Sequence, residues 1–142
     1  MNLSTYEMFE KISKLKSKKE KIALLREYSQ EQFFKIILDL TFNKQWKWLL
    51  PEGDPPYNPA PKESDVQHVL KHDARKLQYF INTKEGNALK PLRRETMFIE
   101  MLESVDYQDA ILLLSIKEGK VPFNGITKKL VQEALPDATQ GW

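Results

Sequence analysis

The segment VPFNGITKKLVQEALP, residues 121–136, combines residue types that bind phosphate. Its glycine lets main-chain N–H groups approach an anion closely, because no side chain stands in the way. The threonine after it is suited to begin a short helix whose first N–H groups lack partners within the helix. Lysines before and after the turn add positive charge. The expected phosphate-contacting residues are Lys120, Gly125, Thr127, Lys128 and Lys129.

A second concentration of positive charge lies between residues 11 and 21, where six of the eleven residues are lysine. Taken alone, such a cluster is more often a solvated helix face than a binding site. If it lies on the same side of the protein as the turn, the combined charge could follow a duplex backbone, with affinity that falls as salt rises. Lys16, Lys18 and Lys19 are the lysines expected to converge with the turn.

Smaller basic groups occur elsewhere, and none of them predicts base recognition. No segment resembles a recognition helix that aims arginine or asparagine at base edges. Any DNA contact is therefore expected to involve the backbone and shape of the duplex. These smaller groups are Lys71, His72, Arg75 and Lys76, then Arg93 and Arg94, and Lys117 beside the turn.

The two histidines, His68 and His72, are four residues apart and would share one helix face, as a zinc pair does. However, Val69 stands where a metalloprotease has its catalytic glutamate, and no third ligand is evident. Neither KEGN nor KEGK, residues 84–87 and 117–120, has the pattern of a phosphate-binding loop. We therefore expect no metal, no cofactor, no catalytic residue and no enzymatic activity.

Helices must position these residues, and their starts are marked by serine followed three residues later by glutamate or glutamine. In that spacing the serine side chain accepts a free N–H of the first turn and the later side chain reaches back. The pattern predicts helix starts near residues 4, 17, 29 and 64. The pairs are Ser4 with Glu7, Ser17 with Glu20, Ser29 with Gln32, and Ser64 with Gln67.

The later helices are marked by other signals. Pro91 suits the first turn of a fifth helix, and Asp106 is suited to cap a sixth that Gly119 ends. Thr127 is suited to cap a seventh. Residues 83–91 are predicted to be a connector. The fourth helix is expected to kink near Asp73.

The predicted fold is therefore all-α, a compact bundle of six or seven helices in a single domain, residues 1–142. No alternating strand pattern of useful length is present. The apolar spacing places seven side chains in the core. They are Phe34, Ile37, Leu38, Phe98, Leu102, Leu112 and Leu113.

A long loop is predicted after the third helix, over residues 46–63, because that stretch holds five of the eight prolines. Trp46, Trp48 and Tyr57 lie among these prolines. They could present an aromatic anchor to a protein partner, or they could cover the core as a lid. Strong exposure of either tryptophan would favour the partner site, and burial of both would favour the lid.

Bulk composition narrows the class of protein. The 142 residues carry a net charge of +2, 41% hydrophobic residues and no cysteine. No apolar run reaches the ~18 residues that a membrane-spanning helix needs. A soluble cytoplasmic protein, monomeric and without a membrane partner, is expected.

Two stretches carry a resemblance to a known family. Residues 9–42 run through a helix, a Ser-x-x-x-Lys stretch, an apolar pair and a helix that ends in an aromatic residue, at Ser17, Lys21, Leu24, Leu25 and Phe42. The C-terminal stretch has a glycine, a Thr-and-Lys helix and a closing proline, at Gly125, Thr127, Lys128, Lys129, Leu130 and Pro136.

The order of these elements resembles the N-terminal DNA-binding domain of ATP-dependent DNA ligases, especially the compact ligases of tailed phages. The chain is also similar to small uncharacterised proteins of T-even-like phages. In the ligases the glycine turn and its helix lie against the minor groove of duplex DNA. The sequence departs from the ligases at Phe123 and Asn124, where an Arg or Lys is usual, and it lacks the Lys-x-Asp-Gly nucleophile motif.

The resemblance implies a non-catalytic, sequence-tolerant module that binds the backbone of double-stranded DNA, encoded by a phage and located in the host cytoplasm. A second hypothesis remains open. The chain could be a protein-interaction module, a phage factor that binds a replication, transcription or host defence protein through Trp46, Trp48 and Tyr57.

Overall fold

The regular structure of the chain is helical. A computed structural model describes residues 3–61 and 70–142, and in these ranges β-structure is limited to isolated bridges. The all-α prediction is confirmed. The described helices are α1 (Thr5–Lys14), α2 (Lys18–Tyr28), α3 (Gln32–Phe42), a 3₁₀ helix (Leu70–Phe80), α4 (Lys84–Ala88), α5 (Pro91–Ser104), α6 (Tyr107–Lys117) and α7 (Lys128–Ala134).

The helices form two compact units. The first unit comprises the described residues of Met1–Gln45 together with Gly119–Trp142, and it holds α1, α2, α3 and α7. The second unit comprises the described residues of Trp46–Glu118, with the 3₁₀ helix, α4, α5 and α6. All seven predicted core residues are at most 2% exposed, which confirms them. Phe34, Ile37 and Leu38 belong to the first unit, and Phe98, Leu102, Leu112 and Leu113 to the second.

The core of the first unit is built on aromatic packing. Phe9 of α1 and Phe34 of α3 are fully buried, with ring centroids 4.8 Å apart, and Tyr28 of α2 packs edge-on against Phe34 at 5.9 Å. Burying each such ring contributes about 1.5–3 kcal/mol relative to exposure. Leu25 faces the same interior from α2. The same helix, α2, packs on α1 and on α7, so it connects α7 to the rest of this unit.

Two of the predicted capping pairs are present. Ser4 and Glu7 form the reciprocal box: the Ser4 hydroxyl accepts the Glu7 N–H at 3.1 Å, and the Glu7 carboxylate accepts the Ser4 N–H at 2.9 Å. Ser17 caps α2 by accepting the Glu20 N–H at 3.1 Å, while its hydroxyl donates to the Glu20 carboxylate at 2.8 Å. Local hydrogen bonding therefore sets both helix starts.

The predicted capping pair Ser29 and Gln32 is wrong. Ser29 follows the end of α2 in helical backbone geometry, and its hydroxyl donates to the Leu25 carbonyl at 2.6 Å. Ser29 therefore belongs to the end of α2, two residues before Glu31 at the N-cap position of α3, and α3 begins without a side-chain cap. A serine hydroxyl can serve the preceding helix as readily as the next one, so spacing alone did not decide between them.

In the second unit, Pro91 occupies the first turn of α5, and Asp106 caps α6 by accepting the Gln108 N–H at 3.0 Å. Gly119 follows the end of α6 with φ +84°. These signals are confirmed, as is the kink at Asp73, where φ is −105° and ψ is 18°. The Ser64–Gln67 pair, which was to begin that helix, lies outside the described residues.

The prediction of a connector over residues 83–91 is wrong, because the segment contains α4. Thr83 caps this helix by accepting the Gly86 N–H at 2.9 Å. A Cβ atom at Gly86 would lie 1.9 Å from the Ile81 carbonyl oxygen, so only glycine fits there. Gly86 therefore lets α4 pack against the end of the preceding 3₁₀ helix. Because glycine has a low helix propensity, the sequence did not indicate a helix that this packing stabilises.

The long loop is confirmed over its described part, since no helix occurs between α3 and residue 61. Its beginning is paired with the end of the 3₁₀ helix. The Leu49 N–H donates to the Phe80 carbonyl at 2.8 Å, and the Asn82 N–H donates to the Lys47 carbonyl at 3.0 Å. None of the helices in the described ranges is long and apolar enough to cross a membrane.

Candidate nucleic-acid interface

The packing of α2 on α7 brings the two lysine-rich segments of the sequence together in the first unit. Lys18, at the start of α2, forms an ion pair with Glu133 of α7, with Nζ and Oε2 2.5 Å apart. Further along the helix, the Arg26 Nε–H donates to the carbonyl of Ala134 at 2.8 Å. These two contacts tie both ends of the α2 face to α7.

The glycine turn before α7 lies against the same helix. Gly125 has φ +88°, a conformation that favours glycine, and a Cβ atom there would lie 2.6 Å from the Nζ of Lys21. The space that the glycine leaves open therefore holds the Lys21 ammonium. An anion that approached the Gly125 main chain would meet this positive charge directly.

The predicted phosphate-contacting residues all belong to the first unit. The structure leaves most of them exposed, with Lys128 half-buried. The hydroxyl of Thr127 accepts the Leu130 N–H at 3.1 Å, so Thr127 is the N-cap of α7, as predicted. The exposed residues are Lys16, Lys18, Lys19, Lys120, Gly125, Thr127 and Lys129.

The charge of the two units differs in sign. The segments of the first unit carry 12 Lys and Arg against 8 Asp and Glu, whereas those of the second carry 10 against 12. The net charge of +2 for the whole chain thus conceals a basic unit with a net charge of +4. A local surplus of this kind, rather than the total, sets the attraction for a polyanion.

Two basic residues from the sequence clusters are buried and are therefore removed from any surface. Lys117 ends α6 with its side chain only 2% exposed, and Arg94 of α5 is also buried. The Lys71 group lies in the second unit, where Lys76 pairs with Asp73 at 3.6 Å. The candidate interface in the first unit is therefore limited to the residue 11–21 segment and to the turn and helix at α7.

Lys117 and Arg94 hold the first part of the long loop. The Lys117 ammonium donates to the carbonyls of Pro51 and Gly53, both at 2.9 Å, and contacts the Glu118 carboxylate. The Arg94 guanidinium donates to the carbonyls of Gly86 at 2.7 Å, Leu89 at 3.0 Å and Leu49 at 3.3 Å. The carbonyls of Leu49, Pro51 and Gly53 belong to the loop, where no helix supplies them with a donor, and the two cations satisfy them.

The aromatic residues of the loop meet neither of the two sequence-based expectations fully. Trp46, Trp48 and Tyr57 are all half-buried. Trp48 forms an isolated antiparallel bridge with Ile81. Burial raises the pKa of the Tyr57 hydroxyl above its ordinary value, and the nearby Asp54 carboxylate raises it further. The loop is thus partly a cover and partly a surface.

Sequence reasoning missed three contributors to the basic surface. Lys21 was counted in a cluster but not assigned to the turn, although it stands three residues, about one helical turn, after Lys18. Glu133 was not identified as the counter-charge of Lys18. The third contributor is an aromatic pair of Tyr6 and Phe123, with ring centroids 4.9 Å apart, which no local pattern signals.

Within residues 3–61 and 70–142 no group of three or more His, Cys, Asp or Glu side chains is placed to hold a metal ion. His72 is exposed, and His68 lies outside the described residues.

An all-α protein with a lysine-rich surface on one of its two units is the class that this fold and site define. A family model described as a family of unknown function, DUF6433, matches residues 8–122, and the chain belongs to that family. Of the predicted interface, Lys16, Lys18, Lys19 and Lys120 lie within the matched range, and the residues from Gly125 onward lie beyond it. No curated protein and no solved structure matches the chain.

Proposed function

We propose that this protein is a non-catalytic module that binds the phosphate backbone of duplex DNA through its first unit, without sequence preference. The interface comprises the exposed lysines around the start of α2 and the turn and helix at α7. Its residues are Lys16, Lys18, Lys19, Lys120, Gly125, Thr127, Lys128 and Lys129, together with Lys21.

One observation carries the proposal: the packing of α2 on α7 joins two lysine clusters that are about a hundred residues apart in the sequence. The Lys21 ammonium beside Gly125 is the point where the two clusters meet. Convergence is the property that distinguishes a polyanion site from separate solvated helix faces. The resemblance of both clusters to ligase DNA-binding domains supports the same reading.

The local charge predicts the strength and the kind of binding. Because the Lys18 ammonium is paired with Glu133, part of the positive charge is neutralised before any DNA arrives. The remaining lysines contact phosphate without reading bases, so binding should be strongest at low salt and similar for unrelated sequences.

The test is a fluorescence anisotropy titration of two unrelated 20-base-pair duplexes at two salt concentrations. The double variant Lys128→Ala, Lys129→Ala should weaken binding to both duplexes alike. Each lost phosphate contact should reduce the slope of log affinity against log salt by about 1. Loss on only one duplex would indicate base recognition instead.

The matched control removes the same charge from the second unit. Lys84 and Lys90 are both exposed there, so Lys84→Ala, Lys90→Ala changes the net charge equally while it leaves the proposed interface intact. This control should retain both affinity and slope. The proposal fails if the two double variants behave alike, or if the unaltered protein binds neither duplex at low salt.

The proposed origin and location rest on the same resemblance. The similarity to phage ligases and to small T-even-like phage proteins favours a phage-encoded protein that acts as a monomer in the host cytoplasm. A duplex-binding module without catalytic residues would act there by occupying DNA.

A second candidate function, binding of a phage or host protein, is favoured by the way the long loop is held. Lys117 and Arg94 fix the loop carbonyls, and Glu103 accepts the Asn58 N–H at 2.8 Å, so the half-buried aromatics are presented on an ordered segment. A partner then loses little loop entropy on binding.

A cavity of about 260 Å³ beneath this loop is bordered by the carboxylates of Glu52, Asp54 and Glu95. A basic partner segment suits that charge. Titration with a hexa-arginine peptide tests it, since Glu52→Gln, Asp54→Asn should weaken peptide binding and leave duplex binding unchanged. Equal peptide binding by both proteins would remove this candidate.

A further inference from the structure

The first unit carries a pair of aromatic rings, one of which belongs to the segment before α7. Tyr6 of α1 and Phe123 of the segment before α7 pack edge to face, with ring centroids 4.9 Å apart and an interplanar angle of 63°. Both residues are half-buried, in contrast to the fully buried Phe9 and Phe34 of the same unit. An edge-to-face pair covers each ring on one side only. Part of the aromatic surface is therefore in contact with solvent.

Phe123 belongs to the same turn as the phosphate-contacting glycine. It stands two residues before Gly125, so their Cα atoms are at most about 7 Å apart. Lys120 stands three residues before Phe123, and the Lys21 ammonium lies against Gly125. Phe123 thus lies in the chain between Lys120 and Gly125, and the second of these is next to the Lys21 ammonium.

We propose that Phe123, supported by Tyr6, is a stacking platform for an unpaired base, so that the interface takes single-stranded DNA or a duplex next to an unpaired segment. This inference rests on the proposed function, because the lysines must first hold the backbone. Proteins that bind single strands combine a cationic track with aromatic side chains on which bases stack. In an intact duplex the bases are stacked on one another, and a half-buried ring has no base to receive.

The first test uses the unaltered protein and three fluorescent probes. They are a single strand of twenty thymidines, an abasic strand of the same length, and a 20-base-pair duplex. The two single strands carry the same phosphates and differ only in their bases. The thymidine strand should bind roughly tenfold more tightly than the abasic strand, since stacking on an aromatic side chain is sequence-tolerant and strong. Equal affinities would overturn the proposal.

The second test uses Phe123→Leu, which keeps an apolar side chain in the turn and removes the aromatic face. It should bind the thymidine strand roughly tenfold more weakly and leave the abasic strand unchanged. Phe123→Tyr keeps the ring and should retain the affinity for thymidine. An equal loss on both strands would show that the ring only supports the turn, and that result also overturns the proposal.

Phe42 offers a matched control within the same unit. It is a half-buried phenylalanine that stacks on Trp142, with centroids 6.5 Å apart, at the end of α3. Phe42→Leu should not change binding of any probe. If Phe42→Leu weakens binding to the thymidine strand as much as Phe123→Leu does, the effect is general destabilisation and the platform is refuted.

The outcomes separate this inference from the function on which it rests. Salt-dependent duplex binding without any preference for the thymidine strand over the abasic strand leaves the DNA-binding proposal standing and refutes the platform. If the protein binds none of the three probes at low salt, both the DNA-binding proposal and the platform are refuted.

Discussion

The two units of this protein use the same kinds of residue in opposite ways. In the first unit Lys18 and Lys19 of α2 and Lys129 of α7 are exposed, and the basic side chains outnumber the acidic ones by 12 to 8. In the second unit the total is slightly acidic, and its two most structurally engaged cations, Lys117 and Arg94, are buried against main-chain carbonyls. The first unit thus leaves much of its positive charge at the surface, whereas the second uses two buried cations to hold a loop.

The comparison teaches that a basic cluster in a sequence does not state what its charge is for. Lys117 and Lys120 are three residues apart, and yet one is buried and the other exposed. The difference arises from the carbonyls of Pro51 and Gly53, which reach the Lys117 ammonium. Burial of a charge is tolerable only where such partners are present.

The largest expected effect concerns the two cores. Phe34→Ala in the first unit and Phe98→Ala in the second should each reduce the free energy of unfolding by about 3–5 kcal/mol, because both rings are almost fully buried. Urea denaturation of each variant measures this. An effect below about 1 kcal/mol at either position would mean that the corresponding unit lacks the packed core described here.

The next effect tests the structural use of charge in the second unit. Lys117→Met should reduce the free energy of unfolding by about 2–3 kcal/mol, because it leaves two carbonyls and the Glu118 carboxylate without their donor. Lys129→Met, at an exposed position in the first unit, should change stability by no more than about 0.5 kcal/mol. If both variants lose similar amounts of stability in urea denaturation, the two units do not differ in their structural use of lysine.

The glycines of the two units provide a matched comparison. Gly125 and Gly53 have φ values of +88° and +84°, so alanine at either position should cost about 1–2 kcal/mol of stability. A Cβ atom at Gly53 would meet nothing within 4 Å, whereas one at Gly125 would displace the Lys21 ammonium. Only Gly125→Ala should therefore weaken duplex binding in the anisotropy assay. If both variants bind the duplex equally well, Lys21 is not part of the DNA interface.

The smallest effect concerns alkaline pH. Burial raises the pKa of Tyr28 in the first unit, with a further contribution from Glu27, and burial followed by Asp54 raises the pKa of Tyr57 in the second. Folding therefore favours the neutral hydroxyls. Their contribution to stability is present below the ordinary pKa of 10.0 and is lost as pH rises through the higher folded value.

Phenylalanine at either tyrosine should make the fall in melting temperature above about pH 10 slightly shallower. Because both side chains are partly solvated, the change should be small. Thermal unfolding of Tyr28→Phe and Tyr57→Phe over that range measures it, and a steeper fall in either variant would contradict the direction of the shifts.

The features that the sequence predicted well are those that depend on neighbours within one helical turn. The Ser4–Glu7 box, the Asp106 and Thr127 caps and Pro91 at the start of α5 all satisfy N–H groups or backbone geometry locally. The buried apolar positions follow from helical periodicity, which is also a short-range property. The fold class could therefore be predicted from the sequence.

What the sequence concealed depends on distant partners. The carbonyls that bind Lys117 are 64 and 66 residues away, and the space beside Gly125 is filled by a lysine from α2. One signal for Lys117 was available. The last turn of α6 also carries Leu113, Leu114 and Ile116, all buried, so a lysine there has little polar face to occupy.

The site was predictable only as a set of candidate residues. Lys128 and Lys129 were identified by composition, but the packing of α7 on α2 and the approach of Lys21 to Gly125 are not described by any local pattern. The Tyr6–Phe123 pair joins residues 117 positions apart, so no short-range sequence pattern can reveal it. The DNA-binding role of these residues stays a prediction.

Because Lys117 is buried under the long loop, the rate at which its amine is acylated measures how often that loop opens. An acylating reagent reacts with a free, solvent-accessible amine, and the Lys117 side chain is 2% exposed while it holds Pro51 and Gly53. Acylation at Lys117 therefore requires that the hydrogen bonds from its ammonium to Pro51 and Gly53 break first. Its labelling rate, read by mass spectrometry beside that of an exposed lysine such as Lys129, reports how often the segment detaches.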